Sequence, residues 1–161
     1  MRDIIFKTEE YVFSYRVAGI LIYNDKILLQ KIDDDTAYAI PGGHVNLGET
    51  NEEALIREFK EEINSDIKVN DLMWMGELFF PWGEKQCHQI CIYYNISLNQ
   101  NANIQFDGVF YGKEELEEKS FELKFSWVNI KDIENIDLYP IQAQKYILEG
   151  MNKTEHFVYK E

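Results

Sequence analysis

Two cysteines, Cys87 and Cys91, are all that the 161 residues contain, too few for a disulfide framework. They stand four apart in a segment that reads as a strand. At ~3.3 Å per residue their Cα atoms lie about 13 Å apart, beyond disulfide reach. His88 between them does not make the pair a zinc site, because an extended spacing does not close a tetrahedron, and all three are expected to be packing residues. No apolar run approaches the ~20 residues needed to cross a bilayer. The opening residues, Met1-Arg2-Asp3-Ile4-Ile5-Phe6-Lys7, put charges through any hydrophobic stretch and do not read as a signal peptide, so the expected compartment is the cytoplasm. Positive charge is scarce as well: 16 Lys and Arg stand against 29 Asp and Glu, a net charge of −13. General nucleic-acid binding depends on neutralising phosphates with Lys and Arg and is not expected here. A small phosphorylated substrate remains compatible, since in such a site a metal supplies the positive charge.

What is present suits one globular domain over residues 1–161, long enough for a full core. Residues 11–23 are rich in β-branched and aromatic types; Asn24-Asp25 is a plausible turn, and residues 26–32 read as the antiparallel partner. Asp33-Asp34-Asp35 reads as a solvated loop. Residues 72–80 and 86–98 form two further strands joined through Pro81-Trp82-Gly83-Glu84. Residues 99–103 are a polar loop, the acidic residues 113–119 suit a short helix or a loop, and residues 121–128 read as a last main strand. Residues 130–136 suggest a turn of helix. Pro140 opens a final helix and Gly150 closes it. Many strands with few, irregularly placed helices suggest an α/β fold, a mixed sheet between helical layers.

The segment 43–65, GHVNLGETNEEALIREFKEEINS, carries the chemistry. Thr50 is a good N-cap and Glu53 completes a capping box, so a helix starts there. Glu58, Glu61 and Glu62 then fall on a stripe roughly 100° wide, while Ile56, Phe59 and Ile63 offer an apolar face. Glutamates three and four apart repel by a few tenths of a kcal/mol per pair, a cost that a bound divalent cation removes. Hard cations such as Mg²⁺ or Mn²⁺ prefer oxygen ligands of this kind.

Gly43, Glu49, Arg57-Glu58, Phe59 and Glu61-Glu62, at these offsets, resemble the Nudix box, the signature of MutT-like hydrolases that act on nucleoside diphosphates linked to another group. Tyr38-Ala39-Ile40-Pro41-Gly42-Gly43 resembles the strand-to-loop entry of that family. Asn64 and Ser65 depart from its usual ending of glycine and an aliphatic residue. Asparagine tolerates a left-handed helix cap, so Asn64 is expected to end the helix, with Ile67 taking the buried place in the next strand. The resemblance implies a Nudix-type α/β/α sandwich with a central mixed sheet over roughly residues 11–150. It also implies Mg²⁺ (with Mn²⁺ as a substitute) held by Glu58, Glu62 and Glu61 with a Gly42 carbonyl, and an orienting role for Arg57, which can reach Glu53 or Glu61. Glu49 is either structural or an indirect ligand. The general base is Glu61 or a glutamate among Glu114, Glu115, Glu117 and Glu118.

The expected activity is metal-dependent hydrolysis of a diphosphate bond, with a small nucleotide-type molecule as substrate. A catalytically inactive ligand-sensing module of the same fold is the alternative, and an isomerase of allylic diphosphates is disfavoured because Cys87 lies far from the box. Gly43, Phe80 and Trp82 are the substrate-contacting candidates, with Phe79 and Tyr94 nearby as further aromatic platforms. Pro81 lies about as far past the box as the proline associated with ADP-ribose-type substrates. Arg16, Lys31 and Lys85 could touch phosphate, although each reads more readily as a surface charge. Exposed edge strands would permit a homodimer.

Overall fold

The computed structural model describes residues 2–32, 35–116 and 119–161. A short strand β1 (Ile5–Lys7) leads into β2 (Tyr11–Tyr23), which turns at Asn24-Asp25 into β3 (Lys26–Ile32). Both turn residues have positive φ, 49° and 59°, the backbone that a two-residue hairpin with the native twist requires. Two brief strands follow, β4 (Tyr38–Ala39) and β5 (Gly42–His44), and then helix α1 (Asn51–Ile63). The long hairpin β6 (Ile67–Trp82) and β7 (Lys85–Leu98) comes next, then a second hairpin, β8 (Val109–Leu116) and β9 (Lys119–Asn129). A 3₁₀ turn (Ile130–Asn135), β10 (Leu138–Tyr139), α2 (Gln142–Leu148) and β11 (Glu155–Lys160) complete the chain.

The strands form one mixed sheet in the order β10-β4-β3-β2-β7-β6-β11, with β1 and β5 also on β2 and the β8–β9 hairpin on β3. The β2–β7 and β6–β11 pairings are parallel, whereas β6–β7 and β3–β9 are antiparallel. Alternation along β2 separates two apolar clusters. Ala18 and Ile20 join Trp74 and the α2 residues Ala143 and Ile147. Val17 and Leu21 join Leu55 and Phe59 of α1. The helices therefore lie against different clusters, in keeping with the expected α/β class.

The β2–β3 pairing decides where a site can form. The two strands pair in ladder register only beside their turn, at Ile22↔Ile27 and Tyr23↔Lys26. Beyond it β2 runs with β7 and β5 while β3 runs with β9 and β4, so the sheet splays and a cleft opens between the strands.

Several expectations need correction. The acidic segment from Lys113 is neither helix nor loop as far as it is described: Lys113 to Leu116 continue β8 and pair with β9. Glu117 and Glu118 lie outside the described residues, as do Asp33 and Asp34. Pro81 and Trp82 belong to β6, and only Gly83-Glu84 make the turn. β6 also begins at Ile67, five residues before the predicted start. Ile56 is 39% exposed, and the buried positions of α1 are Ala54, Leu55, Phe59 and Glu62.

Candidate functional site

Helix α1 starts as its sequence requires. Thr50 accepts a hydrogen bond from the Glu53 amide, and Glu53 accepts one from the Thr50 amide. It ends at Asn64, whose φ of 50° is left-handed, with the Asn64 and Ser65 amides donating to the Lys60 and Phe59 carbonyls. Asn64 thus closes the helix without glycine, and Ile67 takes the buried place at the start of β6. Between these caps the three glutamates grade from solvent to interior. The Glu61 side chain is 60% exposed, that of Glu58 only 12%, and Glu62 is buried at 7%.

Strand β5 runs against the helix, and its two glycines are where the backbones come closest. A Cβ on Gly43 would fall on the Glu58 carboxylate. One on Gly42 would collide with the Val17 carbonyl and lie 2.6 Å from the Ala18 Cα in β2. Both positions therefore exclude a side chain for reasons of packing, and Gly43 in particular is the cradle in which Glu58 lies.

Arg57 organises the carboxylates. Its Nε and Nη2 donate to the two oxygens of Glu49 at 2.7 and 2.9 Å, a fork-to-fork pair. Nη1 donates to Glu58 at 2.7 Å and to Glu61 at 3.1 Å, and Nη2 also reaches the His44 carbonyl at 3.0 Å. Of the two partners expected along the helix, Arg57 reaches Glu61, while Glu53 is committed to the cap. Glu49 also accepts from the Asn46 amide, so its role is to hold Arg57 and the loop together. The hydrogen bonds from Arg57 keep the Glu49 carboxyl below its ordinary range. Burial pushes Glu58 above the usual range, with Arg57 pulling against it.

Arg16 is not a mere surface charge: its Nη2 donates to the Gly42 carbonyl at 2.8 Å. A carbonyl has two lone pairs, so this contact leaves one for another partner. His44, the last residue of β5, is buried against Ser14, with Oγ and Nε2 3.0 Å apart. Burial, helped by the charges of Arg16 and Arg57, pushes its pKa down to about 3, so the ring is neutral under ordinary conditions.

The donor set suits a hard cation: three carboxylates of one helix face and a backbone carbonyl, all oxygen. Among the described residues, no three His, Cys, Asp or Glu side chains converge in ligating geometry; Glu58 and Glu61 instead share Arg57. Binding a cation would require those two carboxylates to turn from the guanidinium.

A cavity of about 250 Å³ opens beside Gly42, in the cleft where β2 and β3 splay. Phe80 and Trp82 line it, as expected of substrate-contacting residues. Phe79 does not; it stacks on His88 with ring centroids 4.4 Å apart. Tyr94 is also elsewhere, its hydroxyl accepting from Asn51 at the start of α1. Gly43 lies under Glu58 and is not part of the cavity wall. Lys31 lines the cavity and lies over the Tyr38 ring at 5.3 Å, whereas the Lys85 ammonium donates to the Thr8 carbonyl. The Arg16–Gly42 contact, and the Gln30 and Tyr139 side chains of the cavity wall, had no local sequence signal, since each depends on which strands become neighbours.

Comparison with known proteins agrees with this layout. A family model, the NUDIX domain, matches residues 14–148. An ADP-ribose pyrophosphatase from Methanocaldococcus jannaschii is 40% identical over 79 residues, 47% of this chain and 46% of that protein, so the match spans about half the length of the curated relative. Among solved structures, a NUDIX hydrolase from Nitrosomonas europaea superposes with a TM-score of 0.59 at 17% identity, covering 92% of this chain and 78% of that one. A UDP-X diphosphatase superposes with a TM-score of 0.57 at 16% identity, over 89% and 66%. These likenesses establish the fold.

Proposed function

Because this chain belongs to the NUDIX domain family, we propose that it is a hydrolase that splits the diphosphate bond of a nucleoside diphosphate joined to another group. The observation that carries the proposal is the seating of Glu58 against Gly43, within one helical turn of Glu61 and Glu62. Glu58, Glu61 and Glu62 share one turn of α1 and Gly42 borders the cleft, and in a protein of net charge −13 such donors suit an anionic substrate only when a divalent cation joins them. Glu58, Glu62 and Glu61 with the Gly42 carbonyl would hold Mg²⁺ or Mn²⁺, which would supply Lewis acidity toward the phosphate oxygens and acidify water.

The chain's own residues have separable tasks. Arg57 holds Glu49 against the loop and positions Glu58 and Glu61, the two carboxylates that would turn from it to take up a cation. Glu61, the most exposed of the three, would accept a proton from attacking water, a role supported by its exposure and by an Arg57 contact that engages one of its oxygens. Arg16 holds the Gly42 carbonyl in place and adds positive charge where a phosphate would enter. Phe80 and Trp82 offer an apolar wall to the rest of the substrate.

The similar proteins are named for ADP-ribose in one case and for UDP-X in another, and the shared chemistry is a nucleoside diphosphate. ADP-ribose is therefore the first substrate to try, followed by nucleotide sugars, dinucleoside polyphosphates, NADH and oxidised nucleoside triphosphates. Hydrolysis read as phosphate released by a coupled phosphatase should appear with Mg²⁺ or Mn²⁺ and vanish with chelator. Glu58→Gln and Glu62→Gln should each abolish it, with the circular dichroism spectrum unchanged. Full activity in either variant would overturn the assignment.

A further inference from the structure

The cavity wall holds a buried amide oxygen with nothing to bind. Gln30 on β3 is only 6% exposed, and its Oε1 has no hydrogen-bond partner. Buried amides are ordinarily satisfied, because stripping water from them without replacement is costly. Two other glutamines follow that rule. Gln89, which lines the same cavity, accepts from Ser14, and Gln144 donates to the Ile133 and Ile136 carbonyls. Other buried atoms without a partner, such as Trp74 Nε1 and Gln142 Oε1, lie elsewhere, but one more belongs to this cavity wall: the Tyr139 hydroxyl on β10.

The strand register explains why these two exceptions belong together. Gln30 pairs with Ala39, and Ala39 pairs with Tyr139. Directly paired residues share a face, so the three form one row across β3, β4 and β10. Two strand spacings separate the ends, about 9.5 Å between backbones. Ala39 in the middle has only a methyl group, which leaves a notch between an amide and a phenol. All three line the cavity, with Phe80 and Trp82 as its apolar wall and Gly42 at the end nearest the glutamates. A volume of about 250 Å³ is below the ~300–1,000 Å³ typical of pockets that enclose a whole drug-sized ligand, and it suits one planar ring system.

We propose that this notch holds the nucleobase and that Gln30 is the residue that reads it. The inference rests on the hydrolase proposal only for the direction in which the diphosphate points. A carboxamide presents one donor and one acceptor side by side, and a half-turn of its terminal torsion exchanges them. Its complement is a heterocycle with an adjoining N–H donor and nitrogen or oxygen acceptor, as on adenine or uracil. Gln30 is a positioning and specificity residue and takes no part in the chemistry. The ring fills the space beside Ala39, the Tyr139 hydroxyl meets a second polar atom of it, and the 5′-phosphates extend toward Gly42.

The test separates this proposal from the one it builds on. Binding of AMP, UMP and ribose 5-phosphate to the metal-free protein is followed by calorimetry, and ADP-ribose turnover with Mg²⁺ is measured in parallel. Gln30→Leu removes both halves of the amide; Gln30→Glu keeps its shape and removes the donor. Both should weaken binding of the preferred nucleotide and raise KM for a substrate carrying that base by roughly 10–100-fold, the value of a lost bidentate base contact, with kcat within about threefold. Ribose 5-phosphate, which has no base, should bind variant and wild type equally. Unchanged nucleotide binding in Gln30→Leu, no nucleotide binding by the wild type, or an equal loss for ribose 5-phosphate each overturns the proposal. A wild type that binds nucleotide through Gln30 yet hydrolyses nothing supports it and overturns the hydrolase reading instead.

Discussion

Arg57 makes more polar contacts in the site than any other side chain described there, and its identity follows from its geometry. It uses three nitrogens on three carboxylates and a carbonyl, a fan that a single ammonium cannot reproduce. Arg57→Lys should therefore behave as a severe change. We expect kcat/KM to fall about 10–100-fold, as for other partners that orient ligating groups. The thermal midpoint should fall too, since Glu49 and Glu58 are left half-buried with one donor fewer; steady-state kinetics and a melting curve check both. The sequence showed which residues take part here, because their offsets match a known pattern. It did not show who pairs with whom. Glu49 sits before the helix, and only the path of the 45–50 loop brings it to Arg57. The cysteines give a second prediction at this scale. Both are buried, and burial pushes each thiol up to about 11. The reactive thiolate is then on the order of 10⁻³ of the total at pH 8. Native protein should react with a chromogenic disulfide reagent far more slowly than unfolded protein, which should titrate two thiols. Rapid native labelling of either would contradict the packing described.

Secondary elements were legible where local chemistry decides them. The β2–β3 hairpin and both ends of α1 follow from turn and capping residues alone, and they lie where the sequence puts them. The capping box is open to a direct test. Thr50→Ala removes the side-chain acceptor for the Glu53 amide, which should cost about 1 kcal/mol. For a domain of this size that corresponds to about 2–4 °C in the melting midpoint. Thr50→Asn should keep most of it. The acidic stretch from Lys113 was misread for the opposite reason. Its propensity argues against a strand, but it hydrogen-bonds to β9, and tertiary pairing overrides so weak a preference. Gly112 at its start lies so close to α1 that a Cβ would touch the Glu62 carbonyl, so this strand braces the helix that carries the glutamates. Periodicity also misplaced one face of α1. Taking Ile56 as buried assumes that the core covers every isoleucine, whereas the helix turns Leu55, Phe59 and the acidic Glu62 inward. A buried glutamate on the apolar side is what a site produces and a purely structural helix avoids.

At the scale of the whole molecule, the cleft arises from a topology that no local pattern contains. β2 leaves β3 after two paired residues because it has parallel β7 on its other side and β5 across its middle. The edge strands β1 and β11 were invisible for a related reason: each is short, and β11 is a strand because it lies beside β6. The molecule also carries a net charge of −13, with three glutamates gathered on one turn of helix. Such a charge opposes the compact state by self-repulsion, and a cation captured at the glutamates offsets part of it. Binding to the folded state alone adds RT ln(1 + [L]/Kd), about 2.7 kcal/mol at a hundredfold excess over Kd. Saturating Mg²⁺ should therefore raise the melting midpoint by roughly 5–10 °C. Sodium chloride at equal ionic strength screens the same repulsion without ligation and should give only a small rise. The difference between the two salts should disappear in Glu58→Gln and Glu62→Gln, and chelator should reverse it in the wild type. An Mg²⁺ effect no larger than that of sodium chloride would mean that Glu58 and Glu61 serve only as partners of Arg57, with no cation joining the three glutamates in the working state.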